Sequence, residues 1–178
     1  MSELFSIQLQ NRQQQGRDGV WLDLPTTTEQ VQAALRQIGI SSDNPQGLFI
    51  SGYFAEEEKR LAIPYNMVLA SSVDELNFLA SRLETLSTGE RAELNAALQA
   101  PQSELFSIGR ITDFPENVDY YVHLPDVHGP AQLGDYYLNR SGMVNMPEEW
   151  KGGIDTAQFG RYVAQQEQGV FTQYGYLV

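Results

Sequence analysis

The two histidines, His123 and His128, flank Asp126 in a His-x-x-Asp-x-His pattern. Imidazole and carboxylate groups are common ligand types for zinc and related metals. The placement suits such a site poorly. His123 is predicted on a strand, Asp126 and His128 on the loop after it, and no fourth ligand suggests itself. A satisfied strand histidine beside a solvated loop accounts for the same residues, so no metal or cofactor is expected. The acid pairs Glu56/Glu57 and Glu148/Glu149 are adjacent in sequence, so their side chains diverge on a helix and do not make a general acid–base dyad. The chain has no cysteine. That excludes disulfides, thiol nucleophiles and Cys-ligated metals. No glycine-rich phosphate loop and no nucleophile paired with a base is present. The chain is therefore read as non-catalytic, and a metal-dependent hydrolase is the weakest of three readings.

The carboxylates are the stronger signal. Asp and Glu outnumber Lys and Arg by 23 to 11 in 178 residues, for a net charge of −12 and a pI near 4.4. Such a surface does not bind nucleic acid directly, because phosphate contacts need Lys and Arg. It suits a partner that is itself basic. The excess also keeps a soluble protein dispersed, so where the acids lie matters more than their total. Between Arg110 and Arg140 lie Asp113, Glu116, Asp119, Asp126 and Asp135, with no Lys or Arg among them. Glu56, Glu57 and Glu58 form a second cluster, followed by Lys59 and Arg60. Further on, Glu148 and Glu149 are an adjacent acid pair, and Asp155 has the position of a helix N-cap.

The elements that must carry these acids are legible from local rules. Phe5, Ile7 and Leu9 alternate with polar residues as a half-buried strand does. Residues 10–19 are polar and glutamine-rich, as an exposed loop is. Trp21, Leu22 and Leu24 make the next strand, ended by Pro25. Thr27 with Gln30 forms a capping box before a helix striped by Val31, Leu35 and Ile38, and Gly39 closes it. Residues 48–54 are a third strand. Ser72 with Glu75, and Ser87 with Glu90, cap two helices that are expected to form an antiparallel hairpin. The hexapeptide Ser-Glu-Leu-Phe-Ser-Ile occurs at 2–7 and again at 103–108, and Leu24-Pro25 is echoed by Leu124-Pro125. The two ends are accordingly read as similar strand–loop–strand–helix modules. In the second, residues 120–124 are the strand and Pro130 opens a helix closed by Gly142. Asp155 with Gln158 caps a last helix, and residues 170–172 and 174–178 end the chain as aromatic strands.

The expected class is α+β: elongated, with small mixed sheet/helix modules at both ends and a helical middle. The expected domains are 1–60, 61–102 and 103–178. No apolar run approaches the roughly 20 residues that span a bilayer. The opening Met1-Ser2-Glu3-Leu4-Phe5 has no basic segment leading into an apolar stretch, so a cytoplasmic location is expected.

Two blocks carry a family resemblance. The first is Ser72-Val73-Asp74-Glu75-Leu76-Asn77 leading into Leu86-Ser87-Thr88-Gly89-Glu90-Arg91-Ala92-Glu93-Leu94. The second is Tyr136-Tyr137-Leu138, Gly142, Met146-Pro147-Glu148, Ile154-Asp155, Phe159-Gly160-Arg161, Gly169-Val170-Phe171 and Tyr174-Gly175-Tyr176. Their order and approximate spacing resemble the ArdA antirestriction proteins over nearly the whole chain. The resemblance implies an elongated three-domain homodimer, carried on mobile elements, that copies the shape and charge of bent B-DNA. It implies binding in the DNA groove of type I restriction–modification enzymes. Asp113, Glu116, Asp119, Asp126, Asp135, Glu148, Glu149, Asp155, Glu56, Glu57 and Glu58 are then the candidate phosphate mimics. Arg161 is expected to be a structural ion-pair or carbonyl partner. The alternative is a non-catalytic acidic interaction module for another basic partner.

Overall fold

The computed structural model describes residues 3–14, 16, 18–41 and 43–178. Ser2 of the first hexapeptide, and Gln15 and Arg17 of the predicted loop, lie outside the described residues. The chain forms two compact units, Met1–Ser87 with Leu105–Glu116, and Thr88–Glu104 with Asn117–Val178. Helices and two small antiparallel sheets make an α+β fold, as the patterning implies.

The first unit is built on a three-stranded antiparallel sheet. Strand β1 (Phe5–Asn11) is central, between β2 (Val20–Leu24) and β3 (Leu48–Phe54). Its alternation is the one read from sequence: Phe5, Ile7 and Leu9 are buried and the residues between them are partly exposed. Phe5 stands opposite Leu24 and Ile7 opposite Leu22, so one face of the sheet is apolar across strands. The helix α1 (Thr28–Gln37) buries Ala34 and Leu35, and Ile38 beyond its end is buried too. Thr27 caps it by accepting from the Gln30 amide. The Gln30 side chain meets the Thr26 hydroxyl instead of completing the predicted box. Asn11, buried at the end of β1, donates to the Ile38 carbonyl at 3.0 Å and accepts from the Gln13 amide at 2.9 Å. That one side chain satisfies the helix end and the loop start together.

The short helix α2 (Tyr65–Leu69) packs on β3. The helix α3 (Val73–Leu83) opens with the predicted Ser72–Glu75 capping box and buries Leu76, Leu79 and Leu83. Asn77 on α3 acts like a paired strand residue: its amide donates to the Thr26 carbonyl at 3.0 Å and its oxygen accepts the Thr26 N–H at 2.8 Å. Against α3 packs α5 (Ile108–Thr112), which buries Ile108 and Ile111.

The hexapeptide repeat is a repeat of sequence and not of structure. In the first copy Phe5 sits in the core of β1, 3% exposed; in the second Phe106 is 69% exposed. There Glu104 takes a left-handed conformation and Ser107 caps α5 by accepting from the Arg110 amide. The expected strand at the start of the second module is thus replaced by a turn and a helix. The second copy also crosses from one unit to the other between Glu104 and Leu105. The two middle helices form where predicted, but α3 belongs to the first unit and α4 (Thr88–Gln99) to the second.

The second unit has a three-stranded antiparallel sheet in which His123–Leu124 and Val170–Thr172 flank Gly175–Leu177. The strand expected over 120–124 shrinks to β4 (His123–Leu124), extended by paired Val122 and Val178, and Val118–Tyr120 is a 3-10 turn. Strands β5 (Val170–Thr172) and β6 (Gly175–Leu177) form the terminal hairpin. The helix α6 (Pro130–Asp135) starts at Pro130 as predicted, runs into a π turn at Tyr136–Arg140 and stops at Gly142. After the single turn α7 (Glu148–Lys151), helix α8 (Thr156–Glu167) packs on α6. The crossing is too close for side chains. A Cβ on Gly160 would lie 1.8 Å from the Pro130 carbonyl oxygen, and one on Gly134 would lie 1.9 Å from that of Thr156. Val127, Leu133, Ala164 and Tyr176 form the core beneath.

Candidate acidic partner-binding surface

Ten of the eleven candidate acids are exposed and Asp135 is half-buried. Buried neighbours hold several of them in place. In the first unit, buried Ala55 anchors the chain before the 3-10 turn Glu57–Lys59, which projects Glu56, Glu57 and Glu58 outward. Lys59 lies 3.6 Å from the Glu56 carboxylate. The carboxylates of Glu57 and Glu58 have no ion pair or hydrogen bond among the described residues. Phe114, 1% exposed, pins the 3-10 turn Phe114–Glu116 and with it Asp113 and Glu116. Arg82 of α3 reaches this turn and lies 2.6 Å from Glu116.

In the second unit, Asp119 rides on the Val118–Tyr120 turn and Asp126 on the turn after β4. Asp126 has no partner among the described residues. Asp135 accepts from Arg140 at 2.8 Å and from Asn139 at 2.8 Å. Those donors, Arg140 first, hold its carboxyl below the usual carboxylate range. On α7, Glu148 pairs with Lys151 at 2.9 Å, while Glu149 is exposed and unpartnered among the described residues. Asp155 caps α8, accepting the Gln158 amide at 3.0 Å. Among the described residues ion pairs engage Glu56, Glu116, Asp135 and Glu148, and Asp155 serves as a cap. The stretch between Arg110 and Arg140 lacks bases only along the chain, because Arg82 comes to it through the fold and Arg140 folds back from its edge.

Two other acids stand out once the fold is known. Glu93 on α4 has an oxygen shut off from solvent with no hydrogen-bond partner among the described residues. Burial, then the charges of Glu90 and Asp119, push its carboxyl up to about 7. Glu90 is visible one helical turn away in sequence; the approach of Asp119 is not. Glu167, at the end of α8, accepts the hydroxyl of Tyr176 at 2.9 Å and that of Tyr137 on its other oxygen. Burial and this carboxylate push both phenols well above the ordinary tyrosine value.

The histidines serve the terminal hairpin. His123 Nε2 lies 2.7 Å from the Tyr174 carbonyl and His128 Nδ1 lies 3.5 Å from that of Thr172. Among the described residues no three His, Asp or Glu side chains gather as a metal site requires.

The segment 136–176 carried most of the sequence resemblance, and its glycines, tyrosines and caps are the parts that build the second unit. The family model described as "Antirestriction protein (ArdA)" matches residues 15–178. The chain belongs to the ArdA family of antirestriction proteins. No curated protein matches the sequence. Within the ArdA segment Phe159-Gly160-Arg161, Gly160 lets α8 meet α6. The expected partner of Arg161 is absent: its side chain is exposed, with no ion pair or hydrogen bond among the described residues. No helix among the described residues is long and apolar enough to cross a membrane.

Proposed function

We propose that this ArdA-family chain inhibits type I restriction–modification enzymes as a non-catalytic DNA mimic, presenting exposed carboxylates to the Lys and Arg residues of the DNA-binding groove. The observation that carries the reading is the set of exposed acids whose carboxylates have no ion pair among the described residues, Glu57, Glu58, Asp126 and Glu149, in a chain of net charge −12. Duplex DNA places one phosphate per roughly 1.7 Å of axis, and a protein that binds it gains by releasing the counterions. Carboxylates offered to the same cations compete for that gain. They carry no base pattern, so inhibition is independent of the enzyme's target sequence.

The reading includes a cytoplasmic homodimer. Two copies carry about −24, which equals the phosphates of roughly 12 base pairs at two per pair. That is enough for part of a binding site, so the mimicry is confined to the free acids and does not extend over the whole surface. The paired acids Glu56, Glu116, Asp135 and Glu148 contribute less, because an exposed ion pair already meets its own cation.

Displacement of duplex DNA from a purified type I methyltransferase tests this. Displacement at low salt that fades as salt rises supports it. Binding indifferent to salt contradicts it and favours a contact of another kind, as for an acidic module with a different partner.

A further inference from the structure

Helix α4 packs against the 3-10 turn Val118–Tyr120. Glu93 acts across this contact, since Asp119 on the turn bears on its charge and its own charge bears on Tyr121 just after. One of its oxygens is shut off from solvent and makes no hydrogen bond among the described residues. An ionised carboxylate in such a place costs much more than a protonated one. The charges acting on Glu93 are those of Glu90 and Asp119, both anionic. Arg91 stands two residues away on α4 but is not among the groups that shift it. Among the described residues β6 and the 3-10 turn Pro101–Ser103 also pack on α4. Strand β6 offers Tyr176, whose hydroxyl is given to Glu167, and the 3-10 turn Pro101–Ser103 offers nothing titratable. Tyr120 on the facing turn is 84% exposed and points its ring to solvent.

We infer that the contact between α4 and the Val118–Tyr120 turn is a proton-operated latch, held shut with Glu93 protonated and loosened when Glu93 ionises against Asp119 and Glu90. The turn carries Asp119, so the latch sets how firmly that acid and Tyr121 are held in place. Its direction follows from the carboxyl being raised to about 7 from its ordinary 4.5. The closed contact is unstrained below the ordinary value. It weakens as pH climbs from there to the raised value, and changes little above it. If opening restored the ordinary value in full, the opening equilibrium would grow about 70-fold between pH 5 and pH 8. Glu93 is partly exposed in the closed state, which reduces the expected change to about tenfold.

The amides of Tyr120 and Tyr121 close the turn, donating to Asn117 and Val118 carbonyls at 3.0 and 3.3 Å. Their hydrogen exchange, corrected for the intrinsic rate, reads the latch directly. In the natural chain their protection is expected to fall about tenfold from pH 5 to pH 8. In Glu93→Gln it stays flat. In Asp119→Asn the fall remains but its midpoint moves to lower pH. Carbon-13 titration of the Glu93 carboxyl in the unaltered chain serves even where Glu93→Gln fails to fold. A Glu93 midpoint at the ordinary carboxylate value overturns the latch, and so does an unchanged exchange profile in Glu93→Gln. Neither readout involves a restriction enzyme, so the latch and the DNA-mimic reading fail separately.

Discussion

Arg82 and Glu116 stand 34 positions apart in the chain, and their charged groups lie 2.6 Å from each other. The contact changes the meaning of the acidic stretch that Glu116 belongs to. A run without bases in sequence is not a run without bases in space. The carboxylates available to a partner are those the fold leaves alone. Amide substitution of Asp126 or Glu149 should each weaken binding to the target by roughly 1.5- to 5-fold, the range of an exposed charge contact. Glu116→Gln and Asp135→Asn should cost less. Arg82→Gln, which frees Glu116, should leave inhibition equal or stronger. Titration of each variant against a methyltransferase–DNA complex gives the order.

Asp155 has two candidate roles that one substitution separates. Asp155→Ser keeps an oxygen for the Gln158 amide and removes the charge, while Asp155→Ala removes both. The cap role predicts that Ala lowers unfolding stability by about 1 kcal/mol and Ser by much less. Equal inhibition by wild type and the Ser variant then places Asp155 in the scaffold. Weakened inhibition by a fully stable Ser variant places it on the binding surface.

The second unit depends on the approach of α6 and α8 at Gly134 and Gly160. A methyl group at either position meets backbone, which cannot rotate out of its way. Gly160→Ala should destabilise by at least about 1–3 kcal/mol, as overpacking of a close contact does. Denaturant unfolding followed by circular dichroism measures it. An unchanged midpoint would show that the helices are farther apart than this crossing.

Tyr137 and Tyr176 both give their hydroxyls to Glu167, and both phenols are raised above the ordinary 10. The unfolded chain therefore loses these protons first. Their contribution to stability is complete below about pH 10 and is lost as pH rises past it. Alkaline unfolding should coincide with the late rise of tyrosinate absorbance. Tyr176→Phe should cost about 1–2 kcal/mol at neutral pH through the lost hydrogen bond to a carboxylate, and it should flatten the alkaline limb.

Sequence reading worked where a signal is local. The alternation of Phe5, Ile7 and Leu9, the Ser72–Glu75 box, Pro130 at a helix start and Asp155 as a cap all declare themselves within a few residues. It failed where one short segment serves two contexts. In the first copy of the hexapeptide Phe5, Ser6 and Ile7 lie in a central strand beside β2 and β3, and in the second Ser107 caps a helix after a turn, because strand preference depends on the partners available. The middle helices were found, but their assignment to different units depends on contacts far along the chain. For the acids, types and exposure were legible. Pairing was legible only at short range, as with Glu148 and Lys151. The approach of Arg82 to Glu116, or of Asp119 to Glu93, is a product of the fold.

We propose that the free carboxylates stand in for phosphates. A type I methyltransferase loaded with labelled duplex DNA is titrated with the natural chain and with a folded variant carrying Glu57→Gln, Glu58→Gln, Asp126→Asn and Glu149→Gln, at low and high salt. Phosphate mimicry predicts displacement by the natural chain that weakens steeply with salt, and a variant that displaces poorly with a shallower salt dependence. Equal displacement by the two proteins, or displacement that does not change with salt, would contradict it.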